Sequence, residues 1–216
     1  MTTPTIKAVL WDFGGVFTPS PFAAIASAGD ELGISTERAV GYVFGPYDRD
    51  TDHPWHRLER GEVTMDDARD AIMATAAADG VTLDPWDLLA RMGTSDGPLT
   101  NPAVLAAAHQ VRARGLRSAL ITNNIVEFRD GWRSLVPVDE LFEIVVDSSE
   151  EGMRKPDPRI FALALERLGG VAADRCVFLD DFEGNVTAAQ VLGMHSIRVD
   201  PDPTSALAEL ESMLDA

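Results

Sequence analysis

Six polar side chains with useful chemistry stand at the ends of short apolar runs or, in the case of Lys155, just before a predicted helix. They are Asp12, Thr122, Asn123, Lys155, Asp180 and Asp181. Carboxylates from two separate runs make an oxygen-rich site of the kind that Mg²⁺ prefers. A carboxylate held in line with a phosphorus atom can attack it and form an aspartyl-phosphate, while a metal ion and a lysine neutralise the transferring group. These residue types therefore predict a site for phosphoryl transfer.

Strands and helices alternate in the second half of the chain and must position these side chains. One strand is predicted at the start of the chain, at 6–11. In the alternating half, strands are predicted at 116–121, 143–146, 177–179 and 196–199, and helices at 102–114, 157–168, 182–192 and 204–214. The alternation predicts an α/β fold with a doubly wound, Rossmann-like parallel sheet, whose strands are short and apolar because both faces are covered. Ligands bind beyond the carboxyl ends of such strands, so the six side chains are expected to meet there.

An Ala-rich segment separates the first strand from this alternating half. From about residue 19 to 97 the pattern is helical, is broken by Gly and Pro, and contains no convincing strand. Thr64 is expected to cap a helix, with an acid at Asp67 three residues later. We therefore predict a core of residues 1–17 and 99–216, and an inserted helical domain of residues 18–98.

The formal net charge of −17 narrows the possible partners. A chain this acidic repels polyanions at long range, so we expect no nucleic-acid partner. It also repels phosphorylated metabolites unless the site holds a local positive centre. Lys155 and a metal ion would supply that centre.

Cysteine usage and hydropathy bear on location. The single cysteine, Cys176, cannot form an internal disulfide, and its apolar neighbours indicate a buried filler. The start of the chain is polar, and the sequence contains no apolar run of ~18 residues, so neither an export signal nor a membrane span is expected. These features favour a cytoplasmic protein and leave its oligomeric state open.

Each site residue also has an ordinary structural interpretation. An Asp after a strand is usually a turn or cap residue, Thr and Asn are common in loops, and a lysine before a proline is usually solvated. The adjacent acids Asp180 and Asp181 are harder to explain in this way, because like charges placed together are costly without a cation. The combination, in this order at strand ends, favours a functional site.

Four segments together resemble the four motifs of the haloacid dehalogenase superfamily, over essentially the full length of the chain. The segments are Ala8–Val16, Leu120–Asn123, Gly152–Pro158, and Phe178–Asp181 with Asn185 following. The helical insertion is similar to the C1-type cap of subfamily I. The residues of the motifs are most similar to those of the branch that contains the phosphatase domain fused to mammalian soluble epoxide hydrolase.

The resemblance implies a Mg²⁺-dependent phosphatase and a role for each residue. Asp12 would be the nucleophile and a metal ligand, the carbonyl of Gly14 a second ligand, and Asp181 a third, with Asp180 beside it. The remaining residues would act on the phosphoryl group. Thr122 would hold its oxygens with Asn123 adjacent, and Lys155 would orient the nucleophile and balance charge. The substrate would be a small phosphorylated metabolite.

Gly14 departs from the family pattern. Phosphatases of the superfamily usually carry a second Asp at this position, which protonates the leaving group and later activates water. A positioned acid or base contributes about 10²- to 10⁴-fold, so we expect weak activity on alkyl phosphates and better activity on aryl or acyl phosphates. A substitute could come from the cap stretch that holds Asp48, Asp50, Asp52, His53 and His56. Trp55 and Arg57 could contact the substrate there, or could serve only cap structure.

Other functions compete with the phosphatase. The glycine at position 14 allows a catalytically weak protein that binds a phosphorylated ligand or regulates a partner. Carbon–halogen hydrolysis, which the superfamily also performs, needs no metal and leaves the paired acids unexplained. A receiver domain of two-component signalling has no room for the inserted helical segment.

Overall fold

Five parallel strands form the centre of the fold. The structure is a computed structural model that describes residues 5–22, 25, 29, 33–90 and 98–215. The strands are β1 (Ala8–Trp11), β2 (Arg117–Thr122), β3 (Ile144–Asp147), β4 (Cys176–Asp180) and β5 (His195–Arg198). Their order is β3-β2-β1-β4-β5, and every neighbouring pair is parallel. The predicted α/β fold with a doubly wound sheet is confirmed, and the strand bounds differ from the prediction by one or two residues.

Burial on both faces explains why β1 is an unbroken apolar run. Successive side chains of a strand point to opposite faces. Val9 and Trp11 of β1 pack in one hydrophobic cluster, whereas Ala8 and Leu10 pack in the other. Both faces of β1 are therefore core, and β1 can present polar groups only at its ends.

Helices cover both faces of the sheet and make up the insertion. They are α1 (Thr36–Val43), α2 (Pro54–Glu59), α3 (Met65–Ala78), α4 (Pro85–Ala90), α5 (Pro102–Ala113), α6 (Arg129–Arg133), α7 (Val138–Leu141), α8 (Ser148–Glu151), α9 (Pro158–Arg167), α10 (Glu183–Val191) and α11 (Thr204–Leu214). The four helices predicted after residue 100 correspond to α5, α9, α10 and α11. The short helices α6 to α8 were not predicted, because four or five residues show no helical periodicity.

Helices α1 to α4 build a hydrophobic cluster of their own. The cluster contains Tyr42, Phe44, Trp55 and Ile72, and it reaches Ile125 of the segment after β2. As predicted, Thr64 caps α3, because its hydroxyl accepts a hydrogen bond from the backbone N–H of Asp67 at 3.2 Å. The domain bounds at 18 and 98 stay a prediction, and residues 91–97 of the insertion lie outside the described residues. No helix in the described part of the chain has the length and apolar character needed to cross a bilayer.

Candidate active site

The ends of the three central strands bring the predicted acids together. Trp11, the last residue of β1, pairs in register with Leu120 of β2 and with Leu179 of β4. The residues that follow therefore emerge at one edge of the sheet. The backbone N–H of Asp12 donates to the carbonyl of Leu179 at 2.8 Å, which places Asp12 directly beside the end of β4.

Lys155 is a buried cation held between two carboxylates. Its Nζ lies 2.6 Å from Asp12 Oδ1 and 2.7 Å from Asp180 Oδ2. Burial by itself lowers the pKa of Lys155, but the charges of the two acids outweigh it and hold that pKa above its ordinary value. The lysine is therefore charged near neutral pH. Sequence reasoning gave Lys155 this partner, Asp12, and the structure adds Asp180.

The site nevertheless carries more negative than positive charge. Burial raises the pKa of Asp12 well above its usual value; Lys155 opposes the rise, while Asp180 and Asp181 add to it. Burial likewise raises the pKa of Asp181 to about 6, with Asp180 contributing. A single lysine beside two buried carboxylates and the partly buried Asp181 leaves the cluster short of positive charge, so its electrostatics favour an additional cation.

Two of the three carboxylates are free to take a metal ion. One oxygen from each of Asp12, Asp180 and Asp181 can be chosen so that all lie within 4.8 Å of one another. Both oxygens of Asp180 already accept hydrogen bonds, from Phe182 N at 2.8 Å and from Asn185 Nδ2 at 3.0 and 3.1 Å.

The oxygens of the other two acids are less occupied. Within the described part of the chain, the hydrogen bonds to Asp12 involve only Oδ1, and Asp181 Oδ2 accepts from Ser20 Oγ at 2.6 Å. An all-oxygen donor set of this kind suits a hard divalent cation such as Mg²⁺.

The two adjacent glycines, Gly14 and Gly15, have different surroundings, and only Gly15 lies against the Asp181 carboxylate. A Cβ at Gly15 would overlap the Asp181 carboxylate, and Gly15 has a φ of 80°, so glycine is required there. Gly14 is different. A Cβ at this position would meet no heavy atom within 4 Å, so the space for a larger side chain is open.

Asn123 and Thr122 occupy different positions in the site. Asn123 brackets the backbone of Lys155: its Oδ1 accepts from Lys155 N at 2.8 Å, and its Nδ2 donates to Lys155 O at 3.0 Å. Thr122 is buried at the end of β2 and borders the larger cavity described below. Their predicted contacts with a phosphoryl group stay predictions.

A small cavity joins the sheet edge to the inserted helical segment. Its volume is about 80 Å³. The strand-end side is formed by Asp12, Gly14, Asn123, Lys155, Asp181 and Asn185, and the insertion side by Pro21, Phe22, Phe44, Tyr47, Trp55 and Glu59. The insertion therefore covers the predicted nucleophile.

The predicted substitute acids of the insertion do not border this cavity. Asp50 instead pairs with Arg60, and His56 Nδ1 accepts from Thr51 N at 3.0 Å. Burial lowers the pKa of His53 to about 4 and that of His56 to about 3, so both rings are neutral at pH 7. Asp48 and Asp52 likewise do not border it. Of the two predicted substrate contacts, Trp55 lines the cavity, whereas Arg57 bonds to Glu62 at 3.3 Å.

Sequence reasoning missed a buried polar group made of Tyr47, Glu59 and Arg154. The Tyr47 hydroxyl donates to Glu59 Oε1 at 2.9 Å, and Arg154 Nε donates to Glu59 Oε2 at 2.6 Å. The guanidinium of Arg154 also lies 4.5 Å from the centre of the Tyr47 ring. Arg154 immediately precedes Lys155, which was the one signal in the sequence that could have drawn attention to it.

A larger, mostly apolar cavity adjoins the small one. Its volume is about 620 Å³, and it shares Gly14, Pro21, Trp55 and Asn123 with the small cavity. Trp86, Ile125 and Trp132 form much of its wall. The large apolar side chains that are exposed around it are Leu99, Phe128 and Leu135, at 56%, 46% and 36% of their maximal accessible area. Another cavity, of about 670 Å³, borders Asp181 from the side of Pro98–Pro102 and has a more polar lining.

The match to a known family decides what this arrangement is. The family model described as haloacid dehalogenase-like hydrolase matches residues 6–193. The chain belongs to the haloacid dehalogenase-like hydrolases. This confirms the resemblance drawn from the four motifs and the prediction of an enzyme of the hydrolase class.

Relatives of this hydrolase include two much longer proteins and a phosphatase of similar length. Mouse (Mus musculus) acyl-CoA dehydrogenase family member 10 is 35% identical over 211 residues, which are 96% of this chain and 19% of that protein. Rat (Rattus norvegicus) bifunctional epoxide hydrolase 2 is 32% identical over 117 residues, 52% of this chain and 21% of that protein. These matches span about a fifth of either relative's length. A sesquiterpene phosphatase of Aspergillus oryzae is 26% identical over 212 residues, 97% of each chain.

Solved structures share the hydrolase fold. A HAD-like family hydrolase from Porphyromonas gingivalis superposes with a TM-score of 0.64 at 21% identity, over 96% of this chain and 98% of that one. A HAD family enzyme from Bacteroides thetaiotaomicron, solved with magnesium and inorganic phosphate, gives a TM-score of 0.59 at 21% identity, over 91% and 96% of the two chains. At this identity the likeness is one of fold.

Proposed function

We propose that this hydrolase is a Mg²⁺-dependent phosphomonoester hydrolase that works through an aspartyl-phosphate on Asp12. The observation that carries the proposal is the state of Asp12: Lys155 holds its Oδ1 at 2.6 Å, its Oδ2 has no hydrogen bond within the described residues, and Asp12 and Asp181 line the same cavity. One oxygen is therefore oriented and the other is available to attack. Relatives named as phosphatases support the same reaction class.

The residues present fit a magnesium ion. Asp12, Asp181 and the backbone carbonyl of Gly14 would hold it, and it would supply positive charge to the transferring phosphoryl group. We assign Asp180 to a different task, because its oxygens are engaged by Lys155, Phe182 and Asn185. It fixes the lysine ammonium beside the nucleophile.

The other residues of the site would orient the substrate. Asn123 holds the backbone of Lys155 from both sides, so the lysine and the nucleophile keep one geometry. Thr122, at the end of β2, would donate its hydroxyl to a phosphoryl oxygen. Preorganised donors and cations of this type commonly lower the barrier by several kcal/mol, on the order of 10²- to 10³-fold for each donor.

Release of phosphate from p-nitrophenyl phosphate tests this proposal. Turnover is expected with Mg²⁺ and should be lost when EDTA removes the metal, because the buried carboxylates would then repel the anionic substrate. Metal-independent turnover would contradict the proposed cofactor. Tight binding of inorganic phosphate without any turnover would favour the alternative of a phospho-ligand-binding or regulatory protein, which Gly14 keeps open. Carbon–halogen hydrolysis stays the more distant alternative, because it gives the paired acids no task.

The large apolar cavity favours a substrate whose leaving group is hydrophobic. The cavity of about 620 Å³ opens beside Gly14, where the leaving group would lie, and its wall is mostly aromatic and aliphatic. Exposed apolar side chains at its mouth are otherwise costly, and such patches commonly mark binding sites. The name of the Aspergillus relative, a sesquiterpene phosphatase, points to the same chemistry. We therefore propose that the substrate is a phosphate monoester with an apolar leaving group.

Lengthening the alkyl group of a monoester should raise kcat/KM. Each buried methylene contributes about 0.8 kcal/mol, which is about fourfold in kcat/KM until the cavity is full. A series of n-alkyl phosphates from propyl to octyl measures this slope. Leu135→Arg, at the mouth, should flatten it, whereas Val191→Arg, at an exposed position that lines neither cavity, should not. A flat series for the unmodified protein would refute the apolar substrate class.

The location of the protein is proposed from its lone cysteine. Cys176 is buried, and burial raises the pKa of its thiol to about 12, so it is an unreactive core residue. A chain with one inert thiol needs no oxidising compartment. We propose a cytoplasmic location on this basis.

A further inference from the structure

We propose that Tyr47, held in place by Glu59, is the proton-transfer residue that replaces the carboxylate missing at Gly14. The inference rests on the proposed phosphatase function and adds a catalytic residue from the inserted helical segment. It starts from the open space at Gly14, where no neighbouring side chain approaches a Cβ within 4 Å. A replacement must therefore act from the opposite wall of the small cavity.

Elimination among the described residues of the small cavity leaves two groups able to exchange a proton. Asp12 is the proposed nucleophile and Asp181 the proposed metal ligand. The ammonium of Lys155 is held by two carboxylates. The amides of Asn123 and Asn185 do not titrate, and the other lining residues are apolar. Tyr47 and Glu59 remain, and both come from the wall that faces Asp12.

Hydrogen bonds fix the Tyr47 hydroxyl relative to the reaction centre. It donates to Glu59 Oε1 at 2.9 Å and accepts from Asn123 Nδ2 at 3.4 Å. Asn123 in turn binds the backbone of Lys155 at 2.8 and 3.0 Å. The hydroxyl is thus two hydrogen bonds from the residue that orients Asp12. Its hydrogen can rotate from Glu59 to a leaving-group oxygen in the cavity.

Charge around Tyr47 suits both halves of the reaction. Burial and then the Glu59 carboxylate raise the pKa of the phenol, while the Arg154 guanidinium, 4.5 Å from the ring centre, opposes them. Even with a raised pKa, a phenol in hydrogen-bond reach can protonate the strongly basic alkoxide that an alkyl ester releases. The phenolate left behind would be a strong base, because Glu59 repels it more than Arg154 stabilises it, and it would readily take a proton from water.

Tyr47 would act first as an acid and then as a base. In the first step, the free oxygen of Asp12 attacks phosphorus, the bond from phosphorus to the ester oxygen breaks, and that oxygen takes the Tyr47 proton, leaving an alcohol and a phenolate. In the second, water attacks the aspartyl-phosphate and gives one proton to the phenolate. The bond from phosphorus to Asp12 breaks, which restores the carboxylate and releases hydrogen phosphate.

Tyr47→Phe tests the inference, with Tyr42→Phe as the matched control. Tyr42 is the other tyrosine of the insertion; it bonds to Arg38 and Asp79 and lines neither cavity. Tyr47→Phe should lower turnover of an alkyl phosphate by about 10²- to 10⁴-fold, the usual contribution of a positioned acid or base. With p-nitrophenyl phosphate, whose leaving group needs no acid, it should keep a rapid burst of p-nitrophenol followed by slow turnover. Tyr42→Phe should change neither the turnover of the alkyl phosphate nor the kinetics with p-nitrophenyl phosphate.

The rate constant of the burst and the ratio of alkyl to aryl rates do not depend on the folded fraction of the sample. Glu59 is a poorer target, because its removal would leave the buried Arg154 with only Asp50, at 3.9 Å, as an ion-pair partner and would destabilise the fold. Adding Gly14→Asp to Tyr47→Phe should restore alkyl turnover, because that position has room for the carboxylate.

Different outcomes would overturn the role of Tyr47 and the proposed phosphatase function. Alkyl turnover of Tyr47→Phe within threefold of the unmodified protein would overturn the role of Tyr47 and leave the phosphatase standing. Loss of the burst together with loss of alkyl turnover would also overturn it, because a merely structural change slows both steps. An unmodified protein that neither turns over nor becomes phosphorylated would overturn both proposals.

Discussion

Replacing Asp12 with asparagine should lower Mg²⁺-dependent phosphate release by about 10⁴-fold or more, the scale expected when a nucleophile is removed. The amide keeps the size of the carboxylate, but it is neither a nucleophile nor a strong metal ligand. Lys155 would keep its second partner, Asp180, at 2.7 Å, so the site should stay assembled. Steady-state rates with p-nitrophenyl phosphate measure the loss.

Asp147→Asn provides a matched control for that substitution. Asp147 is another buried aspartate at a strand end, and its Oδ1 caps α8 by accepting from Ser149 N at 3.1 Å. An asparagine oxygen can accept the same bond. Activity of Asp147→Asn should stay close to that of the unmodified protein. Equal losses in both variants would show that any change of a buried strand-end acid disturbs the site, and would leave Asp12 without a special role.

Replacing Lys155 with methionine should destabilise the protein as well as inactivate it. The substitution leaves Asp12 and Asp180 facing each other without their shared cation. Breaking a buried ion pair by removing one partner typically costs about 3–5 kcal/mol. Because the pKa of Lys155 is raised in the folded state, its contribution is fully present below the pKa of the unfolded lysine, ~10.4, and is lost only as pH rises through the folded value. At pH 7 the substitution should therefore remove the whole contribution of Lys155 to the free energy of unfolding.

Urea unfolding with and without Mg²⁺ measures this effect. Lys7→Met is the natural comparison, because Lys7 is exposed and is the other lysine of the chain. It should change the free energy of unfolding by less than about 0.5 kcal/mol. Excess Mg²⁺ should restore part of the stability lost in Lys155→Met, since a cation that binds only the folded state stabilises it. Equal stabilities of the two variants in EDTA would contradict the buried ion pair.

The sheet and its acidic edge were predictable because local sequence determines them. Parallel strands buried on both faces must be apolar throughout, so the runs before Asp12 and Asp180 stood out. Parallel alignment then places whatever follows those strands at one edge. A further signal lay in the composition: the chain has only two lysines, and one of them is the buried Lys155.

The side of the site formed by the inserted helical segment could not be predicted, because it depends on contacts between distant segments. Tyr47 and Glu59 meet Arg154, 95 residues beyond Glu59, only in the folded molecule. The same holds for the apolar cavity, whose wall combines separate stretches of the insertion and of the segment after β2. His56 illustrates the converse error: its position in a run of charged residues indicated an accessible group, but the ring is fully buried.

Trapping the phosphorylated enzyme tests the central claim most directly. The protein would be mixed with Mg²⁺ and acetyl phosphate, quenched in acid, digested, and its peptides weighed by mass spectrometry. We expect one phosphoryl group, on the peptide that contains Asp12, and none in Asp12→Asn. Phosphate release from the unmodified protein with no phosphoryl group on that peptide, or with one that persists in Asp12→Asn, would contradict it.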